Sequence, residues 1–351
     1  MPPSDLEIAG RRIGPGRPCF LIAEAGVNHN GDAALARRLV DAAADAGADA
    51  VKFQTFRADR LASASAPKAE YQARATGSGE SQLEMLRRLE LARETHVELL
   101  GRCRERGLVF LSTPFEEESA DFLESLGVAA FKVPSGEVTN LPFLAHLARK
   151  GRPIILSTGM ATLDEVSGAV RCLRENGDPA LALLHCVSRY PAEPRDANLR
   201  AMRTMADAFG VPVGYSDHTP GLEVALAAAA LGAAVIEKHF TLDRSLPGPD
   251  HAASLEPGEL AALVRGVRTV ESALGHGRKE PVPAEAETAA VARKSLVALV
   301  DLPAGTVLDA SVVGPRRPGT GLSPALAPQL VGRRTRSAIR AGTPITWEML
   351  E

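Results

Sequence analysis

The feature that most constrains this chain is a repeat: a short apolar strand, then an amphipathic helix, eight times before residue 275. The strand segments are Cys19–Ala25, Ala50–Phe53, Leu108–Ser112, Ala129–Val133, Ile154–Ser157, Leu181–Cys186, Val211–Tyr215 and Ala234–Phe240. Helical patterns fall between them, as in Asp32–Ala46, Glu117–Leu126, Leu163–Glu175, Ala197–Phe209 and Leu222–Leu231. Strands that are apolar throughout are covered on both faces, and alternation with helices makes them parallel through right-handed crossovers. Eight evenly spaced units predict an α/β fold, a (β/α)8 TIM barrel, in preference to a doubly wound open sheet.

Two stretches break the rhythm. Arg57–Ser81 is polar, rich in small residues and too long for an ordinary connection, which marks it as a lid or substrate loop. His276–Glu287 carries two prolines and mixed charge, and reads as a linker. Beyond it, Asp301–Val313 and Ala338–Leu350 are partial copies sharing an Ala-Gly-Thr core, the pattern of a small pseudo-twofold β module. The expected division is a barrel over 1–275, a linker over 276–290 and a small β-rich domain over 291–351. A module of about 60 residues has a marginal core and is expected to lean on another surface.

Apolar residues make up 45% of the chain and charged residues 24%, enough for a sizeable core beneath an ordinary polar surface. No run approaches the roughly 18 apolar residues of a membrane span, and the N-terminus has no apolar signal core, so a cytoplasmic protein without membrane attachment is expected. Cys19, Cys103, Cys172 and Cys186 lie far apart, which fits reduced thiols better than disulfides or a zinc framework. The net charge of −3 hides a basic tail of +4 from Arg293 onward. That tail holds one Trp and no Tyr or Phe, so it lacks the stacking residues of a nucleic-acid surface. A basic cap over an anionic small molecule is the sharper reading of it.

In such barrels catalytic groups sit at the C-terminal strand ends. Here every strand ends in polar residues: Glu24; Lys52 and Gln54; Ser112 and Thr113; Lys132, Ser135 and Glu137; Ser157 and Thr158; His185, Ser188 and Tyr190; Ser216, Asp217 and His218; Glu237, Lys238 and His239. Lysines following apolar strands are costly to bury without an anion. Lys52 and Lys132, with Ser135, Ser157 and Ser216, therefore suggest a phosphate and carboxylate cradle, although either lysine can instead pair with Glu24 or Glu137. A Schiff-base lysine is a rival that needs only one of the two. His218 and His239 end neighbouring strands and can meet at one divalent cation, with Glu24, Asp217 and Glu237 as flanking acids. A mixed nitrogen and oxygen site suits Mn2+ better than a closed structural zinc, with Mg2+ or Co2+ as alternatives. No nucleotide-binding fingerprint is present.

The stretches AEAGVNHNGD, ADAVKFQTF, LSTPFEEES, FKVPSGEVTNLP, PIILSTGMAT, LLHCVSRYPAEPRDANLRAM, PVGYSDHTPG, VIEKHFTLDRSLPGPDHAASLEP, ARKSLVAL and RRPGTGLSP resemble the sialic acid synthase family, in order and over nearly the whole chain. The resemblance implies a metal-dependent barrel followed by an antifreeze-like (SAF) domain. It implies condensation of phosphoenolpyruvate with an N-acetylated mannosamine-type sugar and loss of phosphate. It also implies a domain-swapped homodimer in which the SAF domain caps the partner's site. By the same resemblance His218 and His239 hold the metal, with Glu24 beside it. Lys52, Lys132, Ser135, Ser157, Ser188 and Ser216 hold phosphoenolpyruvate, Ser188 standing where some members have Asn. Gln54, Glu137, Tyr190, Asp250 and Arg317 hold the sugar, and Arg293 falls in the segment that approaches it. N-acetylneuraminate synthase is the expected member, with legionaminic acid synthase as the alternative. VKFQTF and Ser81–Leu91 are more like those two branches than the pseudaminate one. Rival readings are a metal-dependent aldolase releasing pyruvate and a noncatalytic sugar-binding protein.

Overall fold

The computed structural model describes residues 5–77 and 79–351, in two compact units, 1–275 and 276–351. The first opens with a hairpin, β1 (Leu6–Ile8) against β2 (Arg11–Ile13), that the sequence reading did not anticipate. Its apolar residues Leu6, Ile8 and Ile13 are fully buried, packed with the inward residues at the lower end of the main sheet.

That sheet has eight strands: β3 (Phe20–Gly26), β4 (Ala50–Thr55), β5 (Val109–Pro114), β6 (Phe131–Val133), β7 (Ile154–Ser157), β8 (Leu181–Cys186), β9 (Val213–Asp217) and β10 (Val235–His239). Its order is β5-β4-β3-β10-β9-β8-β7-β6, its ladders are parallel, and β5 and β6 at the two ends lie side by side. The expected TIM barrel is what forms, followed by a small second unit.

Strand side chains alternate between faces, and this alternation builds the site. Outward residues such as Leu21, Val51, Phe110, Phe131, Leu156, Leu183, Tyr215 and Ile236 join the layer under the helices. Inward ones, Ile22, Ala50, Leu111, Ala130, Ile155, Leu184 and Val235, fill the lower barrel. Two residues further along, the same inward positions carry Glu24, Lys52, Thr113, Lys132, Ser157, Cys186 and Glu237.

The helices are α1 (Ala33–Asp45), α2 (Ala58–Leu61), α3 (Glu70–Thr76), α4 (Gln82–Leu89), α5 (Arg93–Glu105), α6 (Glu117–Leu126), α7 (Leu141–Ala148), α8 (Leu163–Glu175), α9 (Ala201–Phe209), α10 (Glu223–Ala230) and α11 (Pro257–Leu274). The stretch Arg57–Ser81, expected as a loop, contains α2 and α3. It leads into α4, whose start is fixed by a reciprocal cap between Ser81 and Glu84. None of the helices among the described residues is long and apolar enough to cross a membrane.

In the second unit, a short helix α12 (Ala286–Ala292) ends the stretch read as linker. Its run AETAAVA has high helix propensity. β11 (Ser295–Ala298) then pairs antiparallel with β12 (Val313–Arg316) over a core of Leu296, Leu302, Leu308, Leu330, Ile339, Ile345 and Leu350. The two Ala-Gly-Thr copies make matching turns, with Gly305 and Gly342 at φ 80° and 84°, a backbone state that favours glycine. Several tail cations are used within this unit: Arg333 stacks over Trp347, and Arg334 and Arg336 donate to backbone carbonyls. Arg293 and Arg317 are exposed.

Candidate active site

A cavity of about 410 Å3 opens at the C-terminal ends of the barrel strands. Its lining includes Glu24, Lys52, Gln54, Lys132, Ser135, Ser157, Ser188, Tyr190, Ser216, His218, His239 and Asp250, all singled out in the sequence. Glu137 is not among the lining residues; it lies on the turn after β6, where its carboxylate accepts from Asn140 Nδ2 at 2.6 Å. Arg317 belongs to the second unit.

At the cavity floor two lysines and two carboxylates are buried together. Lys52 Nζ lies 3.1 Å from Glu24 and 3.5 Å from Glu237, and donates to Thr113 Oγ1 at 3.0 Å. Lys132 Nζ lies 3.5 Å from Glu237 and donates to Ser157 Oγ at 2.8 Å. Glu237 therefore bridges both lysines, and it also accepts from Ser216 Oγ at 3.0 Å. It is the residue the sequence reading left out of the site, treating it only as a flanking acid. Lys132 pairs with Glu237, and Glu137 takes no part.

The two carboxylates differ. Burial pushes Glu24 up to about 7, with Lys52 opposing and Glu237 adding to the rise. Burial also acts on Glu237, but Lys132 and Lys52 overcome it and hold that carboxylate ionised, at about 2. Lys132 is lowered by burial, whereas the two carboxylates overcome burial at Lys52 and raise it. Glu24 is thus a carboxyl near its midpoint at neutral pH, the condition for moving a proton in either direction. The Lys52 ion pairs fall on Glu24 Oε2 and on Glu237 Oε2.

The end between β6 and β9 is a nest of hydroxyls. Gly159 N donates to Ser135 Oγ at 2.8 Å, and Ser135 Oγ lies 3.2 Å from Cys186 Sγ. A β-carbon at Gly159 would strike Ser188 Oγ and come within 2.9 Å of Cys186 Sγ and 3.0 Å of Ser135 Oγ. Only glycine leaves those groups room.

His218 and His239 face each other with ring centroids 5.5 Å apart. His218 Nδ1 donates to Val187 O at 2.7 Å, an assignment that leaves Nε2 as a lone-pair nitrogen. His239 Nδ1 is buried with no partner. Burial lowers both imidazoles, so both stay neutral, as metal ligands must be. Two ring nitrogens without a protein partner, one of them on His239 in register with Glu24, fit a divalent cation whose remaining ligands would come from substrate and water. Among the described residues no three His, Cys, Asp or Glu side chains form a ready cage. Asp217, expected among the flanking acids, turns away because β9 alternates: its carboxylate takes Lys238 Nζ at 2.6 Å and the Thr219 amide.

Tyr190 lies tilted against His218, ring centroids 4.2 Å apart, and Tyr71 stacks on Tyr190 at 4.9 Å. Asp250, buried, is raised to about 6 by burial against the pull of Lys52. Next to Tyr71 the cavity is lined by Leu61 and Gln72, within the stretch expected as a lid or substrate loop, and by Gln82, Met85, Leu86 and Leu89 of α4, which the sequence reading did not name. Its signal was in plain sight: 82, 85, 86 and 89 have the spacing of one helix face.

Residues 39–279 match the NeuB family and residues 293–351 the SAF domain. N,N'-diacetyllegionaminic acid synthase of Legionella pneumophila is 48% identical over 96% of this chain and 96% of its own. The protein of the same name from Campylobacter jejuni is 48% identical over 90% of this chain and 95% of its own. Among solved structures, N-acetylneuraminic acid synthetase of Leptospira borgpetersenii superposes with a TM-score of 0.72 at 36% identity, covering 82% of this chain and 95% of that one.

Proposed function

The chain belongs to the NeuB family, and from that premise we propose that it makes N,N'-diacetyllegionaminic acid from phosphoenolpyruvate and 2,4-diacetamido-2,4,6-trideoxymannose. The 48% identity to two synthases of that name, against 36% to the N-acetylneuraminic acid synthetase structure, favours this acceptor. N-acetylmannosamine, the acceptor expected first from the sequence, becomes the second reading.

The observation that carries the chemistry is the pair of buried lysines beneath a nest of serine hydroxyls. Lys132 and Lys52 meet the phosphate and carboxylate of phosphoenolpyruvate, with Ser135, Ser157, Ser188 and Ser216 as short donors. A divalent cation held by His218 and His239, of which Mn2+ suits the donor set, supplies Lewis acidity at a carbonyl oxygen. Gln54, Tyr190 and Asp250 orient the open-chain sugar so that its aldehyde carbon meets C3 of phosphoenolpyruvate. Carbon–carbon bond formation leaves positive charge at C2, where water adds, and the C2–O bond then breaks to release phosphate. Glu24 takes one proton from that water and can return it to the departing phosphate, and the second water proton, released as C2 becomes a ketone, neutralises the alkoxide formed from the aldehyde. Glu237 stays ionised and keeps both lysine heads in place. The Tyr190–Tyr71 stack covers the acceptor and limits stray water. A homodimer in which Arg317 reaches the partner's sugar, and work in the cytoplasm, complete the reading.

The test is phosphate release with product mass, using purified protein, phosphoenolpyruvate, Mn2+ and either acceptor, with a chelator arm. Chelator-sensitive release with the diacetamido sugar is expected. Pyruvate in place of phosphate would hand the site to an aldolase. Release only with N-acetylmannosamine would restore the second reading.

A further inference from the structure

The outward strand positions named above, from Leu21 to Ile236, belong to the apolar layer under the helices. Asp217 and Lys238 take outward positions at the ends of β9 and β10, and they put charge there. Both are buried, and neither lines the cavity. They are register partners across the parallel ladder, and Lys238 Nζ lies 2.6 Å from Asp217 Oδ2. Thr219, also buried, closes the group. Its amide and Oγ1 donate to Asp217 Oδ1 at 2.9 and 2.8 Å, and its carbonyl accepts from Lys238 Nζ.

Stability does not account for such a group. A buried ion pair is costly to desolvate, and an apolar pair of similar volume is often as stable or more so. What a charged, fully hydrogen-bonded pair supplies instead is directional contact that holds two segments in one arrangement. Its place in the chain shows what that arrangement governs. Asp217 and Thr219 flank His218, and Lys238 immediately precedes His239. The two imidazoles are not held alike. His218 has a tether of its own, from Nδ1 to Val187 O at 2.7 Å, whereas His239 Nδ1 has no partner. A metal-binding histidine is ordinarily oriented through its second nitrogen. The aim of His239 therefore falls to the strand end that carries it, and Lys238 ties that end to β9.

We infer that Asp217, Lys238 and Thr219 are positioning residues that set the spacing of His218 and His239, and with it the affinity for the divalent cation. They lie outside the cavity and act through the backbone of the residues they adjoin. The inference rests on the metal assignment made above.

The test uses Asp217→Asn/Lys238→Met, which removes both charges together, leaves no buried ion unpaired and keeps an acceptor for the Thr219 amide. Mn2+ affinity is read by electron paramagnetic resonance, with His218→Ala identifying the site. Phosphoenolpyruvate affinity is read by calorimetry in the presence of a chelator. The Kd for Mn2+ is expected to rise by about 10- to 100-fold, the usual cost of losing a group that orients a metal ligand. The Kd for phosphoenolpyruvate should not change, because Lys52, Lys132 and the serines are untouched. An unchanged Mn2+ affinity in the folded variant overturns the inference and leaves the metal assignment standing. An equal loss of both affinities also overturns it, since that marks a general loosening of the barrel. If the wild type has no Mn2+ site that His218→Ala removes, the metal assignment falls and the inference with it, while phosphate release decides the synthase reading separately. If the double variant fails to fold by circular dichroism, Thr219→Val, which keeps the volume and deletes one donor, decides by the same two affinities, a loss for Mn2+ alone being expected.

Discussion

His29 offers a test of how the ground beneath the site is held. It is fully buried, its Nδ1 accepts from Gly31 N at 3.0 Å, and its Nε2 has no partner. Burial, with His96 and His251 nearby, lowers it from 6.5 to about 3. The native protein therefore refuses a proton that the unfolded chain accepts below pH 6.5. Stability from this group is complete above pH 6.5 and is lost as pH falls toward 3. At about 1.36 kcal/mol per unit, the loss between pH 7 and pH 5 is about 2 kcal/mol. His29→Asn keeps an acceptor for the Gly31 amide and removes the titration. Urea unfolding followed by far-UV circular dichroism, which is dominated by the barrel helices, should show a pH 7-to-5 loss about 2 kcal/mol smaller in the variant. His96, His185 and His251 are also lowered and act in both proteins, so they cancel in the comparison. The single tryptophan, Trp347, belongs to the second unit, and its fluorescence serves as an internal control. Equal pH slopes in both proteins would refute the argument, because the orphaned ring would then be solvated or already protonated.

Four further outcomes follow from the site. His218→Ala should abolish cation-dependent turnover and leave the circular dichroism spectrum intact; full activity would remove the metal assignment. Gly159→Ala pushes on Ser188, Cys186 and Ser135, so KM for phosphoenolpyruvate should rise by about 10- to 100-fold with little change for the sugar; an equal rise for both would place the nest elsewhere. Glu237→Gln leaves two buried ammonium groups short of one charge and should cost about 3 kcal/mol in unfolding free energy, partly recovered by added phosphate; no such recovery would argue that the lysines do not face the anion. Arg317→Ala should weaken use of the sugar more than of phosphoenolpyruvate, measured as KM for each, and an equal loss would count against a cap.

Much of this architecture is legible in the sequence because parallel strands buried on both faces read as apolar runs, and because a barrel concentrates its chemistry where those runs end. Lys52, Lys132, His218 and His239 could be found that way. What the runs do not reveal is which of two neighbouring polar residues faces inward. Glu237, Lys238 and His239 look alike on the page, and register alone turns Lys238 outward to Asp217 and Glu237 inward to both lysines. The hairpin Leu6–Ile13 escaped because three-residue strands carry almost no periodic signal. The segment Arg57–Ser81 reads as a lid or substrate loop without helices because α2 and α3 are short and its polar residues serve each other. The order of the two acceptors is not legible in the residues, and the 48% identity to two legionaminic acid synthases favours the one placed second.

Those mutual contacts have an evolutionary consequence. Arg87 pairs with Asp59, and Glu80 takes both Arg88 and Lys68, so most of the segment's charges are settled within it. Its ties to the barrel are mostly apolar and aromatic, through Val27, Phe56 and Tyr190, with polar ones such as the Arg57 amide on Glu116. An insert wired to itself can be exchanged between lineages, or drift in sequence, without disturbing the strands that perform the reaction. The cavity wall that this segment supplies and the strand-end residues can then change separately. The barrel then keeps its strand ends while a segment of roughly a tenth of the chain varies.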